Sequence, residues 1–339
     1  MQNHSDTQST GGSRRQWLKT ASLAGAAAAL APATTFAQSL GTRRPDQDLQ
    51  GAGFYRLKLG HTTVTVLSDG DFTMNPVHPT FAVNATQEQV EKALADAFIP
   101  YDQASIHVNA LLIQTPRDTV LIDTGCGSAF GPSTGKLVQN LGRTGVRAKD
   151  ITAVILTHLH ADHMAGLFDD HGEPNFPNAQ FILHKDEHAF WSSDNPDFSG
   201  SALPADRRAA FIAGAKRTLS LEEFTRVEGE SEVRTGITII PAPGHTPGHI
   251  AIMIDGGGTD QLLYVSDTLH QAAIQLPHPE FYVAFDVHPD GAVKSRKRIL
   301  DRAAADKLLV SGSHLPFPAF GHIGNHADGY YWMPSLWRW

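Results

Sequence analysis

Residues 157–163 read Thr-His-Leu-His-Ala-Asp-His, which puts three histidines and an aspartate within six positions, 158–163. The β-branched and apolar run from Ile151 to Leu156 reads as a buried strand, so the cluster falls on a loop at a strand end. On such a loop His158 and His160 can point to one spot while Asp162 and His163 point to another close by. That is the layout of a two-metal site. Imidazole is the usual nitrogen ligand for Zn(II), and an adjacent carboxylate suits zinc, manganese, cobalt or iron. An isolated histidine is ordinarily a surface or hydrogen-bonded core residue, but this many polar groups in so short a span would be costly to bury without a cation.

One loop cannot complete two sites, and three later positions fit the need. His245 lies in Pro241-Ala-Pro-Gly-His-Thr-Pro-Gly-His249, directly after the strand-like Gly236 to Ile240. Asp267 ends the apolar run Leu262 to Ser266, and His314 follows Lys307 to Ser313. Each sits just past a predicted strand, where α/β architectures gather functional groups on loops held by a rigid scaffold.

The order H-x-H-x-D-H, then His, Asp and His, resembles the metallo-β-lactamase-fold hydrolases. The resemblance implies one divalent metal on His158, His160 and His245, a second on Asp162, His163 and His314, and Asp267 as the bridge, with zinc foremost and manganese, cobalt or iron as alternatives. Leu121-Ile-Asp-Thr-Gly125 is similar to the family's early strand-to-turn signature. There Asp123 supports the metal loop without binding metal, although by itself it reads as a turn cap. Within the fold the chain most resembles the methyl parathion hydrolase group, from about Gly53 to Tyr331. The marks are Phe54-Tyr-Arg-Leu-Lys-Leu-Gly60, Leu67-Ser-Asp-Gly70, Ala129-Phe-Gly-Pro132, Phe176-Pro-Asn-Ala179 and His314-Leu-Pro-Phe-Pro-Ala-Phe-Gly-His-Ile323. This grouping implies an aromatic pocket for the leaving group at Phe130, Trp191 and Phe211, each of which taken singly is equally an ordinary core aromatic. The segment Thr268 to Tyr282 departs from the group, carrying His270 and His278 where a more apolar stretch is expected. His270 is expected to be a solvated loop histidine, with a donor behind the metal ligands as the other reading.

The N-terminus reads differently. Ser13-Arg-Arg-Gln-Trp-Leu-Lys19 resembles a twin-arginine export signal, followed by an alanine-rich stretch from Ala21 to Ala31 and a small-x-small site at Thr35-Phe-Ala37. That stretch is too short and too mild for a spanning helix, which needs about 20 apolar residues. Residues 1–37 are therefore expected to be a cleaved signal, with an uncleaved anchor as the alternative, and the mature protein to be periplasmic or secreted. Without them the chain carries 24 basic and 34 acidic side chains, a net charge of about −10. A surface of that sign repels nucleic acid, because phosphate binding depends on lysine and arginine patches. Cys126 is the single cysteine, so no intramolecular disulfide can form, and it reads as a small turn residue.

About 300 remaining residues suffice for one large domain. Residues 38–52 read as an extended arm, and residues 53–339 as the hydrolase domain. Strands are predicted at Thr62 to Leu67, Val108 to Gln114, Thr119 to Ile122, Gln180 to His184, Gly236 to Ile240, Ile250 to Ile254, Leu262 to Ser266 and Leu308 to Ser311. Thr86-Gln-Glu-Gln89 opens a helix with a capping-box pattern, and Ala205 to Leu219 reads as a helix carrying Phe211 over the site. Two strand-then-helix halves suit an αββα four-layer sandwich. The aromatic tail, Tyr330-Tyr-Trp332 with Trp337 and Trp339, is expected to pack on the body or on a partner subunit.

Two metal ions sharing a hydroxide lower that water's pKa, and one of them polarises the substrate's carbonyl or phosphoryl oxygen. Asp162 would orient the hydroxide or pass its proton to the leaving group. The expected activity is hydrolysis of aryl esters or lactones, with phosphotriesters as a further substrate class. Acyl-homoserine lactonases share the same metal set and stay open as an alternative. Dizinc β-lactamases usually carry cysteine where Asp267 stands. An iron-dependent oxidoreductase of the same fold also stays open, although those proteins typically place glutamate where this chain has His160. A homodimer is implied by the resemblance alone.

Overall fold

Period-two alternation of apolar residues, read against two partners, explains how the strands assemble. In the computed structural model, which describes residues 52–102, 104–221 and 223–337, they form two sheets of seven, each in chain order. The first holds β1 (Phe54–Leu59), β2 (Thr62–Met74), β3 (Ala104–Gln114), β4 (Thr119–Ile122), β5 (Ala153–Ile155), β6 (Gln180–His184) and β7 (Phe224–Val227). It runs antiparallel as far as β4 and parallel from β4 to β7. The second holds β8 (Ser231–Arg234), β9 (Ile237–Pro241), β10 (Ile250–Asp255), β11 (Gln261–Tyr264), β12 (Leu309–Ser311), β13 (Gly321–His326) and β14 (Gly329–Pro334). Only its β11–β12 pair is parallel.

Successive side chains on a strand face opposite ways. Val120 and Ile122 of β4, Ala153 and Ile155 of β5, and Ile182 of β6 join Ile237, Ile239, Ile252 and Ile254 of the second sheet in one core cluster. The alternate residues Leu121, Val154, Phe181 and Leu183 enter a second cluster on the other face, with Leu137 and Leu141 of α2 (Leu137–Arg143) and Trp191 of α4 (Lys185–Ser192). Ala215 of α5 (Ala205–Leu221) completes that layer. Beyond the second sheet, α7 (Pro289–Ala305) contributes Ile299, Leu300 and Ala303. The expected αββα sandwich is therefore the architecture found. The remaining helices are α1 (Gln87–Asp96), α3 (Ala161–Met164) and α6 (Ala272–Gln275); Thr86 and Gln89 form the expected capping box on α1.

The strand expected at Thr62 to Leu67 is longer, because β2 continues through an irregularity between Ser68 and Gly70 to pair with all of β3. The run to Ser266 ends as a strand at Tyr264, and Ser266 then turns with φ +45°. Of the aromatic tail, Tyr330 and Tyr331 lie in edge strand β14, and Trp337 packs on Tyr55 with ring centroids 5.3 Å apart. The signal segment 1–37 and the arm, save its last residue Ala52, lie outside the described residues. Among the described residues no helix is long and apolar enough to cross a membrane.

Candidate metal centre

Every expected ligand lies just beyond the end of a strand. After β5 the chain runs through His158 to His160, whose extended backbone (φ −79°, ψ 154°) immediately precedes α3; Asp162 and His163 then lie in that helix. His245 sits in the turn between β9 and β10, Asp267 just after β11, and His314 just after β12. The four strand ends, one from the first sheet and three from the second, meet at one place.

Among the described residues Asp267 joins two candidate ligand groups, one with His158 and His163 and one with His245 and His270, and the two expected sets are present beside them. His158, His160 and His245 form one, and Asp162, His163 and His314 the other, with candidate ligand atoms within 4.8 Å of one another in each. Two atoms bound tetrahedrally at the usual zinc distances stand about 3.3 Å apart. The observed spacings are close to that edge. His160 Nδ1 to His245 Nε2 is 2.9 Å, and Asp162 Oδ2 lies 3.6 Å from His163 Nε2 and 3.5 Å from His314 Nε2. Asp267 lies between the groups: Oδ1 is 3.2 Å from His163 Nε2, while Oδ2 is 3.4 Å from His245 Nε2, 3.2 Å from His314 Nε2 and 3.7 Å from His158 Nε2.

The polar atoms left over are the strongest test of fit. His163 Nε2 and Asp267 Oδ1 are both buried and, at 3.2 Å from each other, neither makes a hydrogen bond. His158 Nε2 is likewise buried and unpaired. Buried polar atoms are rarely left so, and a cation in each ligand group would satisfy all three. All donors are nitrogen or oxygen, a set that suits zinc, manganese, cobalt or iron.

The far nitrogens of His158, His163, His245 and His314 are tied down, as ligating imidazoles require, whereas His160 Nε2 is buried without a hydrogen bond. Asp123 Oδ2 is 3.0 Å from His163 Nδ1, Asp286 Oδ1 is 2.9 Å from His245 Nδ1, and the His107 carbonyl is 2.7 Å from His314 Nδ1. Thr157 Oγ1 lies 3.1 Å from His158 Nδ1 and donates to Asp123. Asp123 thus has the supporting position expected of it, at φ +61°, a region an aspartate tolerates better than most residues.

The two halves differ electrostatically. Burial, together with neighbouring imidazoles, pushes His158, His160 and His245 well below the ordinary histidine range, leaving them neutral. Burial acts the same way on His163 and His314, but the Asp267 and Asp162 carboxylates outweigh it and push both upward. The same contacts hold Asp162 and Asp267 below the usual carboxylate range against their own burial.

Two expectations, on His270 and Trp191, need correction. His270 is not solvated: it is 3% exposed, its ring stacks on His314 at 5.6 Å, and Nε2 lies 3.2 Å from Asp267 Oδ2 with no hydrogen bond at either ring nitrogen. His278, by contrast, stacks on Phe281 with its side chain 38% exposed. Trp191 is wholly buried and offers a ligand no surface; its indole donates to Glu187 and its ring backs His160 at 6.0 Å. Phe130 stacks on Phe72 at 4.6 Å, and no ring contact joins it to the metal ligands among the described residues. Phe211 does reach the centre, 4.7 Å from the His160 ring. The sequence reading missed Phe285, which lies 5.0 Å from the His270 ring and 5.8 Å from that of His245, and Asp286 beside it. Cys126 is buried, with its thiol pushed strongly upward, first by burial, and it joins none of the ligand groups.

Residues 106–314 match the model of the metallo-β-lactamase superfamily, and the chain belongs to that superfamily as one of its hydrolases. Several relatives are lactonases. An N-acyl homoserine lactonase of Bacillus thuringiensis is 22% identical over 240 residues, which span 64% of this chain and 85% of that one. The solved structure of AidC, a dizinc quorum-quenching lactonase, aligns with a TM-score of 0.80 at 32% identity, covering 84% of this chain and 98% of that chain. That of AbOPH, a hydrolase in the β-lactamase superfamily, aligns at 0.76 and 28% identity, covering 85% and 99%.

Proposed function

We propose that this protein is a two-metal lactonase that opens small lactones such as N-acyl homoserine lactones, with aryl esters as secondary substrates. The observation that carries the two-metal part is the pair His163 Nε2 and Asp267 Oδ1, buried together without a hydrogen bond between two complete ligand groups. When bound, the ions, most simply zinc, would supply an activated water and a Lewis acid for the substrate carbonyl. The chain's own residues do the rest. Asp162, whose side chain is 15% exposed, can orient the attacking water and pass its proton on to the leaving oxygen. An alkyl alkoxide is a poor leaving group, so that proton matters more for a lactone than for an aryl ester.

Substrate class is supported by two things. The Bacillus thuringiensis relative and AidC are lactonases, and the wall of the site includes His270, a polar ring in place of an apolar one. Its unpaired nitrogens suit a lactone oxygen better than an aromatic leaving group, so phosphotriesters rank last. Phe211 and Phe285, on either side of the His160 and His245 rings, are the partly buried aromatics placed to receive an acyl chain.

The test is a comparison of kcat/KM for an acyl-homoserine lactone, an aryl ester and an aryl phosphotriester on one metal-replete preparation. The lactone should be fastest; a phosphotriester turned over fastest would sink the lactone reading. Metal analysis of the same preparation separates hydrolase from iron oxidoreductase, since one bound iron per chain would favour oxygen chemistry. The Ser13 to Lys19 motif supports export by the twin-arginine route, and retention in the cytoplasm of cells with an intact pathway would refute it.

A further inference from the structure

Glu187 is a carboxylate with no role in the ligand groups, yet it is entirely buried on α4 and touches both loops of one of them. Its Oε1 accepts from the Leu159 N–H at 2.8 Å and from the Trp191 indole at 2.7 Å. Its Oε2 accepts from the Gly248 N–H at 3.1 Å and from the Thr246 hydroxyl. Leu159 lies between His158 and His160, and Thr246 follows His245. The first loop leaves the first sheet and the second belongs to the other sheet, so one side chain ties the two across the sandwich.

We propose that Glu187 is the positioning residue of the His158, His160 and His245 group, setting the separation of its two loops and hence the affinity of that half for its metal. The proposal rests on the two-metal reading. Its physical basis is the number of donors. A carboxylate is acceptor-only, with room for four hydrogen bonds, and four neutral donors converge here. A glutamine of the same shape meets one pair of donors with its own N–H groups. The Thr246 hydroxyl can reverse to accept, but the Gly248 N–H cannot and loses its partner. The approach is also sterically tight: a Cβ on Gly248 would lie 2.0 Å from the Glu187 backbone nitrogen, so the loop can come this close only with glycine there.

A buried acid that merely stabilised the fold would weaken both halves alike when replaced. A positioning residue weakens one. The test is a competition titration of Co(II) or Zn(II) against a chromophoric chelator, using wild type and Glu187→Gln, with the cobalt d–d spectrum and circular dichroism read on the same samples. Wild type should bind two ions. Glu187→Gln should bind one as wild type does and the other about 10- to 100-fold more weakly, the usual loss when a partner behind a metal ligand is changed. In a His160→Ala background, where the affected half is already disabled, Glu187→Gln should change nothing further. Two ions bound by Glu187→Gln with wild-type affinities, or both weakened in parallel, would overturn the proposal alone. A wild type holding fewer than two ions would overturn the two-metal reading and this proposal with it. If Glu187→Gln does not fold, Thr246→Val removes one of the four donors with little change of shape, and it should give the same one-sided loss on a smaller scale; an even loss there refutes the assignment.

Discussion

Asp123→Asn should disable the Asp162, His163 and His314 half of the centre while leaving most of the fold intact. Asp123 Oδ1 accepts from the Thr157 N–H at 2.8 Å, and Oδ2 faces His163 Nδ1 at 3.0 Å. For His163 to offer a lone pair at Nε2, its proton must sit on Nδ1 and be accepted by Asp123. A carboxamide keeps its oxygen on the Thr157 donors and turns its NH2 towards His163. Two donors then face one another, and the imidazole relieves the conflict by moving its proton to Nε2, where the metal needs a lone pair. Losses of about 10- to 100-fold in metal affinity, or about 1.4–2.7 kcal/mol, follow from changing such a partner.

Asp123→Ala supplies the contrast. It introduces no competing donor, so His163 stays free to choose its tautomer and metal affinity falls less than with asparagine. It also strips the buried Thr157 N–H of its acceptor, so stability falls more, by about 1–3 kcal/mol. The assay is metal competition in a His160→Ala background, where a single binding curve reports the half in question, together with denaturant midpoints. Equal affinities for the asparagine and alanine variants would refute the tautomer argument. Wild-type affinity in both variants would refute the assignment of Asp123 to His163.

Three other perturbations have definite signs. Asp267→Ala should abolish turnover and reduce bound metal from two ions to one at most, read by elemental analysis; retained activity would count against the bridge. Burial pushes His249 down to about 4, below the about 6.5 of an unfolded chain, so the unfolded state takes up a proton the folded state refuses. The metal-free protein should therefore gain up to about 3 kcal/mol from this group as pH rises from 4 to 6.5 and lose it on acidification, with a flat profile of urea midpoints in that window as the refuting result. Arg296, fully buried, donates to the carbonyls of Thr268, Pro279 and Phe281, and Arg296→Met should cost about 3–5 kcal/mol by stranding them, seen as a lower denaturant midpoint.

The ligand groups were legible in the sequence because their chemistry is local: strand-like apolar runs, each followed closely by a histidine or aspartate, place the ligand at a strand end whatever the sheet order. The sandwich was legible for a related reason, since strands such as Val120-Leu-Ile122 alternate between two buried faces and so demand layers on both sides. What escaped depends on contacts far apart in the chain. The burial of His270 follows from α7, whose Arg296 grips the 268–281 segment from beneath, and a buried arginine interrupts the apolar stripe by which such a helix would be recognised. The inward turn of one pocket aromatic escaped for the same reason. Trp191 has the residue type a pocket needs, but the Glu187 carboxylate draws its indole inward, and nothing in the local pattern distinguishes a tryptophan that faces a ligand from one that anchors an acid. Phe285 had no mark of its own; it reaches the centre because its neighbour Asp286 is tied to His245. Residues that hold a metal announce themselves by type and spacing, whereas residues that hold the holders are defined by which buried donor or acceptor they answer across the fold.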